Sequence, residues 1–267
     1  MKIAFLGFGT ISRILFEELN SDKDAQVSFW GFYDPYVEES NSLGNMQRAK
    51  DIGELIQSPA ELIIEAAGQN AAEDFVPELL EAGKDVLSMT VGAFLKEELF
   101  AKVQEICSGE AKGRLYFPSG ALPAVDMLRA VSLRRIDSVE LITRKPYEAL
   151  LGAQGLEGKV ETDLESGEAV TVFQGNAKEA VKQFPKNVNI SATLSLAGIG
   201  AERTKVTIIA DPSVTRNVHK IIVKGEFGEF SAEVASNPSQ NPKTSLTAPL
   251  SAVALIKKMA APIKIGS

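Results

Sequence analysis

The chain has 267 residues, 28 basic and 35 acidic, so its formal net charge is −7 with the one histidine neutral. That balance argues against a nucleic-acid partner, because neutralising phosphates takes clustered Lys and Arg, and no run of about 18 apolar residues marks a membrane span. The single cysteine, Cys107, excludes an intrachain disulfide and a multi-thiolate zinc site, and the single histidine, His219, excludes an H-E-x-x-H metal site, which leaves no expected metal and points to a reducing, cytoplasmic setting.

At about 150 residues per domain the length allows one or two domains, and the pattern along the chain favours two. Lys2 to Leu6 is a short apolar run, Gly7 to Gly9 breaks it, and Ile11 to Leu19 resumes at helical spacing. Val27 to Tyr33 reads as a second strand that stops at Asp34-Pro35. Leu62 to Ala67 and Val86 to Met89 read as further strands, with a helical pattern through Phe75, Leu79 and Leu80 between them. A helix over Phe94 to Ile106 and a fifth strand over Arg114 to Phe117 complete the series. Strands separated by helices of this length spell successive βαβ units, hence a doubly wound parallel sheet of Rossmann type.

The pattern changes at Pro118-Ser119-Gly120. A helix is expected over Ala121 to Ser132, then strands at Val139 to Thr143, Ala169 to Phe173, Lys205 to Ala210, Lys220 to Val223 and Phe230 to Val234. Strands in such succession predict an α+β domain on a mixed or antiparallel sheet. Gly152 to Gly167 reads as a surface loop and Ser236 to Thr247 as a polar return segment. Ala248 to Met259 is again helical and is expected to pack on the first domain. The expected division is 1–117 plus 246–267 for dinucleotide binding, and 118–245 for substrate, catalysis and oligomerisation.

Gly7-Phe8-Gly9-Thr10-Ile11-Ser12 follows a strand and opens a helix. A dinucleotide pyrophosphate needs a tight turn, a close backbone approach and free N–H groups at a helix start, which Gly7, Gly9 and the Thr10-Ile11 turn can supply. Ser12 stands where the fingerprint has its third small residue. Asp34 ends the second strand, about 20 residues on, where an acid accepts hydrogen bonds from the adenosine ribose. No arginine follows it in sequence to receive a 2′-phosphate, which favours NAD over NADP. The alternative for Asp34 is a simple turn former before proline.

Further stretches join this loop. They are Glu65-Ala66-Ala67-Gly68, Ser88-Met89-Thr90-Val91-Gly92-Ala93, Pro118-Ser119-Gly120-Ala121, Phe184 to Ile190, Asp211-Pro212 running on to Asn217-Val218-His219, and Asn241 to Ser245. Taken in order along nearly the whole chain, they resemble the L-aspartate dehydrogenase family. The resemblance implies oxidation of L-aspartate by NAD or NADP to iminoaspartate, which hydrolyses to oxaloacetate and ammonia or feeds NAD biosynthesis. It also implies an active-site histidine at His219 and cofactor contacts at Ala121 and an asparagine, either Asn187 or Asn189; Ala67 is a further candidate cofactor contact. Thr90 departs from the family's usual serine, and Ile190-Ser191 from its usual Val-Ala.

An unperturbed imidazole titrates nearest neutrality, so His219 is the natural proton carrier, with a rate expected to rise through its pKa. Asp211-Pro212 is expected to end one strand and Asn217 to His219 to begin the next, a short connection that can reach a domain cleft. Asn217 could position substrate. Lys243, Arg216 and Lys186 are candidate partners for a dicarboxylate, and Thr244 a candidate substrate contact, although Thr244 and Ser245 could equally cap the last helix. A homodimer is expected from the β-rich second domain. Two other readings stay open: a reductase resembling homoserine dehydrogenase, and a dinucleotide-binding sensor without turnover.

Overall fold

The computed structural model describes residues 1–22, 24–37, 46–110, 112–151, 154–156, 168–184, 188–238 and 245–266. Contacts divide the chain into two units, Met1–Pro118 with Pro249–Ile265, and Ser119–Ala248.

The first unit runs β1 (Lys2–Leu6), α1 (Thr10–Ser21), β2 (Ser28–Tyr33), β3 (Gln47–Arg48), α2 (Ile52–Gln57), β4 (Leu62–Glu65), α3 (Gln69–Glu81), β5 (Asp85–Ser88), α4 (Glu97–Cys107) and β6 (Leu115–Tyr116). The sheet has six strands in the order β3-β2-β1-β4-β5-β6, all parallel. Parallel strands covered on both faces read as unbroken apolar runs, and β1 and β4 are buried almost throughout. The strand order reverses between β1 and β4. That switch point is where ligands of open α/β sheets collect.

The second unit begins with α5 (Val125–Val131), followed by β7 (Ile136–Lys145), β8 (Val170–Asn176), α6 (Ala177–Gln183), α7 (Val188–Ala197), β9 (Thr204–Ala210), β10 (Asn217–Gly225) and β11 (Gly228–Ser236). The last helix, α8 (Thr247–Ala260), lies mostly in the first unit. The second sheet is mixed, in the order β11-β10-β7-β9-β8, with β7 and β9 parallel and the other pairs antiparallel. Its inner face alternates along each strand as period-2 geometry requires: Val139 and Leu141, Val206 and Ile208, Ile221 and Val223 pack with Leu128, Ala180 and Leu194 of the helices and with Phe184, just past α6.

The doubly wound sheet and the mixed second sheet are both as the strand pattern predicts. Three local readings change. The helix expected from Phe94 is a short 3₁₀ turn, Val91–Leu95, and then α4, because Lys96 is extended (ψ 112°). The helix expected from Ala121 starts only at Val125, since Pro123 and a left-handed Ala124 (φ +55°) interrupt it. The expected loop at 152–167 lies outside the described residues except for a 3₁₀ turn at Gln154–Leu156. Among the described residues, no helix is long and apolar enough to cross a membrane.

Candidate active site

In the first unit, the glycine loop is held from several sides. Gly7 adopts φ +83°, and a Cβ there would meet the Ala67 backbone at 2.7 Å. Its N–H donates to the Tyr33 carbonyl at 2.8 Å, and its carbonyl accepts from the buried Ser12 hydroxyl at 2.7 Å. Phe8 is fully buried; its ring stacks on Phe32 at 4.7 Å and meets Phe5 edge-on at 5.2 Å. Gly9 is different. A Cβ there would meet nothing within 4 Å, and α1 starts without any side-chain cap. The start of a 12-residue helix thus lacks a side-chain cap and has open space at Gly9, a combination that fits a pyrophosphate. Thr10 and Ile11 form that first turn.

Asp34 does more than end a strand. Oδ2 accepts from the Phe8 N–H at 2.8 Å and Oδ1 from the Tyr36 N–H at 2.8 Å. It is thus both a turn former and a brace for the glycine loop. A carboxylate has about four lone-pair positions, so capacity for a ribose hydroxyl is left. Arg48, distant in sequence, comes beside it through the pairing of β3 with β2, and its Nη2 donates to the Asp34 carbonyl at 3.3 Å.

At the end of β4, Glu65 is wholly buried. Its carboxylate accepts from the Ala67 and Gly68 N–H groups at 2.9 and 3.3 Å, from Ser88 Oγ at 2.5 Å and from Thr90 Oγ1 at 2.8 Å. Burial pushes the carboxyl pKa up, while the hydroxyl and amide donors oppose it. Ala67 itself is exposed.

In the second unit, β10 places His219 opposite Thr143 of β7. The imidazole is 1% exposed, and Nδ1 lies 3.1 Å from Thr143 Oγ1. Burial first, and the positive charge of Lys145 second, push its pKa down to about 3. This corrects the expectation of a histidine titrating near neutrality: the imidazole is neutral there. Lys145, buried on the same face of β7 two residues beyond Thr143, is not among the residues that the motifs single out. Its signal is a lysine in register with Val139, Leu141 and Thr143 on the inward face. Glu65, which the motifs do not mark as a site residue either, carries a similar one, a carboxylate closing the apolar run Leu62-Ile63-Ile64.

Asp211 anchors the turn between β9 and β10. Its Oδ2 accepts from Arg144 Nη1 at 2.7 Å and its Oδ1 from Ser213 Oγ at 2.6 Å, and its N–H donates to the Lys145 carbonyl at 2.9 Å. The Ser213 hydroxyl and then Arg144 hold its carboxyl below the usual range. Asn217 opens β10 opposite Ser236. The Ser236, Ser245 and Thr247 hydroxyls bond one another, so Ser245 faces its neighbouring hydroxyls. Asn189 sits exposed in the first turn of α7, its carbonyl accepting from Thr193 Oγ1 at 2.9 Å, and Ala121 is buried beyond Gly120 (φ +65°). Arg216 donates to Asn237 Oδ1 at 3.2 Å. Asn187, Lys186, Lys243 and Thr244 lie outside the described residues.

Fold and glycine loop together define a protein built on a dinucleotide-binding domain of Rossmann type. Residues 7–118 match the family model for the homoserine dehydrogenase NAD-binding domain, and residues 126–259 match the C-terminal domain of aspartate dehydrogenase. The chain is 52% identical over 222 residues to an L-aspartate dehydrogenase of Methanosarcina acetivorans, covering 81% of this chain and 79% of that one. It is 39% identical to an L-aspartate dehydrogenase of Methanococcoides burtonii over the full length of both. Among solved structures it is similar to aspartate dehydrogenase from Thermotoga maritima, with TM-score 0.77, 24% identity, and 100% and 99% of the two chains covered. The chain belongs to the aspartate dehydrogenase family.

Proposed function

We propose that this protein oxidises L-aspartate to iminoaspartate with a nicotinamide dinucleotide, the imine then hydrolysing to oxaloacetate and ammonia or feeding NAD biosynthesis. The observation that carries the reading is a buried neutral imidazole, His219, beside a buried lysine, Lys145. Bound at the glycine loop, the nicotinamide would supply the hydride acceptor. Gly7, Gly9 and the first turn of α1 would hold the pyrophosphate, and Asp34 the adenosine ribose. Ala67, Ala121 and Asn187 or Asn189 are the other proposed cofactor contacts.

The protein's own part is to orient the substrate and move protons. In the tautomer whose Nδ1–H donates to Thr143, the other imidazole nitrogen keeps its lone pair and can take a proton from the substrate amine or from the water that attacks the imine. Lys145 offers a cation to one substrate carboxylate, a role that the sequence alone places on Lys243, Arg216 or Lys186. Asn217 and Thr244 stay as proposed substrate contacts.

NAD is the proposed cofactor, because Asp34 disfavours a 2′-phosphate. Arg48 beside it favours a second reading, use of NADP as well. We also propose a homodimer through the outer face of the mixed sheet, where Ile142, Ile209 and Ile222 stay only part-buried; light scattering measures the mass. A cytoplasmic location accords with the unpaired Cys107. The activity is tested with a panel of L-amino acids and both dinucleotides, following the absorbance of reduced nicotinamide. Reduction with aspartate is expected. Turnover on homoserine alone would select the reductase reading, and binding without any turnover the sensor.

A further inference from the structure

The proposed chemistry makes no use of one wholly buried ionisable group, Glu65. Its surroundings account for every nearby proton. The Ser88 oxygen accepts the Thr90 N–H at 3.2 Å and sends its own proton to Glu65. The Thr90 hydroxyl sends its proton to Glu65 as well, and the Ala67 and Gly68 amides can only donate. Burial raises the pKa of this carboxyl, and the four donors converging on its two oxygens oppose that shift and favour the charged form. A buried charge of this kind is costly unless so satisfied.

These bonds join two turns. Ala67 and Gly68 follow β4, Ser88 ends β5 and Thr90 follows it, so one carboxylate ties together the carboxyl ends of two adjacent strands. The strand order says which part of a dinucleotide they face. The pyrophosphate belongs at the glycine loop after β1, and Asp34 marks the adenosine side after β2. The remaining half then extends to the other side of β1, over the ends of β4 and β5.

We infer that Glu65 is a positioning residue for the nicotinamide half of the cofactor, locking the two turns beneath it and favouring its oxidised, cationic ring through a buried negative charge. The inference rests on the dinucleotide reading above. Oxidised nicotinamide carries a positive charge and reduced nicotinamide does not, so a fixed carboxylate lowers the energy of one relative to the other. One buried unit charge acting over roughly 10 Å shifts such a ratio about tenfold.

The test uses the full-length protein and calorimetric titration with NAD⁺ and with NADH. Glu65→Gln keeps the shape, and the Ser88 hydroxyl can turn to accept from the new amide. Its Kd(NAD⁺)/Kd(NADH) ratio is expected to rise about tenfold over the wild type; an unchanged ratio in the folded variant overturns the charge effect. Loss of packing alone would weaken both ligands together and leave the ratio where it was. Thr90→Val, which keeps the charge and removes one tether, is expected to weaken both cofactors several-fold at constant ratio. Unaltered affinities in that variant overturn the anchoring role, and this arm decides even if Glu65→Gln fails to fold. Wild-type protein that binds neither dinucleotide takes down the cofactor reading itself, an outcome distinct from tight binding with an unmoved ratio.

Discussion

His219 shows how one side chain's surroundings set what it can do. An imidazole with a pKa of about 3 is neutral at working pH, so one ring nitrogen keeps its lone pair and this group gives kcat/KM no acid limb near neutrality. His219→Asn keeps polarity and approximate size but cannot carry that proton. Turnover is expected to fall by about 10²- to 10⁴-fold, with NAD affinity little changed in titration; near-normal turnover in a folded variant contradicts the assignment. The same burial has a cost in acid. Folded His219 titrates near 3 while an unfolded histidine titrates near 6.5, so between these values the unfolded chain binds more protons. Its unfavourable contribution is absent above the unfolded pKa and grows as pH falls through that window. The thermal midpoint of His219→Asn should therefore drop less than that of the wild type between about pH 7 and pH 5, as parallel melts would show; equal drops contradict a buried neutral histidine. Lys145→Met, which removes the neighbouring cation, is expected to raise the KM for aspartate about 10- to 100-fold while leaving NAD affinity intact. An unchanged KM would place the carboxylate elsewhere.

At the scale of elements, two glycines of one loop do different work. Gly7 is needed by the fold, with a positive φ and Ala67 against its α-carbon, whereas Gly9 opens onto free space. Gly7→Ala should lower the melting temperature and weaken cofactor binding together. Gly9→Ala should leave the melting temperature near wild type yet weaken the cofactor, since its methyl projects where ligand oxygen approaches. Thermal melts beside titrations check both, and a Gly9→Ala protein with undiminished affinity removes the loop from the site. The loop, Asp34 and the strand succession are legible in the sequence because each has a local cause: a break, a turn acid, a change of period. Helix α7 is not. Ser191 to Ser195 are all buried, so its sequence has no polar face to betray a 3.6-residue period. Strand β3 is two residues long, too short to carry alternation. Lys145 and Arg48 escape for another reason, because their meaning comes from pairing with distant strands: β7 beside β10, and β3 beside β2.

For the whole molecule, the chain returns to its first unit at the end. In α8, Ala252 and Ile256 are fully buried, and Lys257 forms an ion pair with Asp22 at the end of α1. Removing residues 247–267 is therefore expected to destabilise the dinucleotide-binding unit, seen as a lower melting temperature and lost NAD binding; a truncated chain that melts and binds like the full one contradicts this. The proposed reaction breaks one bond, the Cα–H bond of aspartate, and a label on that hydrogen follows where it goes. With L-aspartate deuterated at Cα and oxidised dinucleotide, mass spectrometry should find reduced dinucleotide heavier by one deuterium, formed in step with ammonia. Unlabelled reduced dinucleotide, or none at all, would contradict hydride transfer from aspartate.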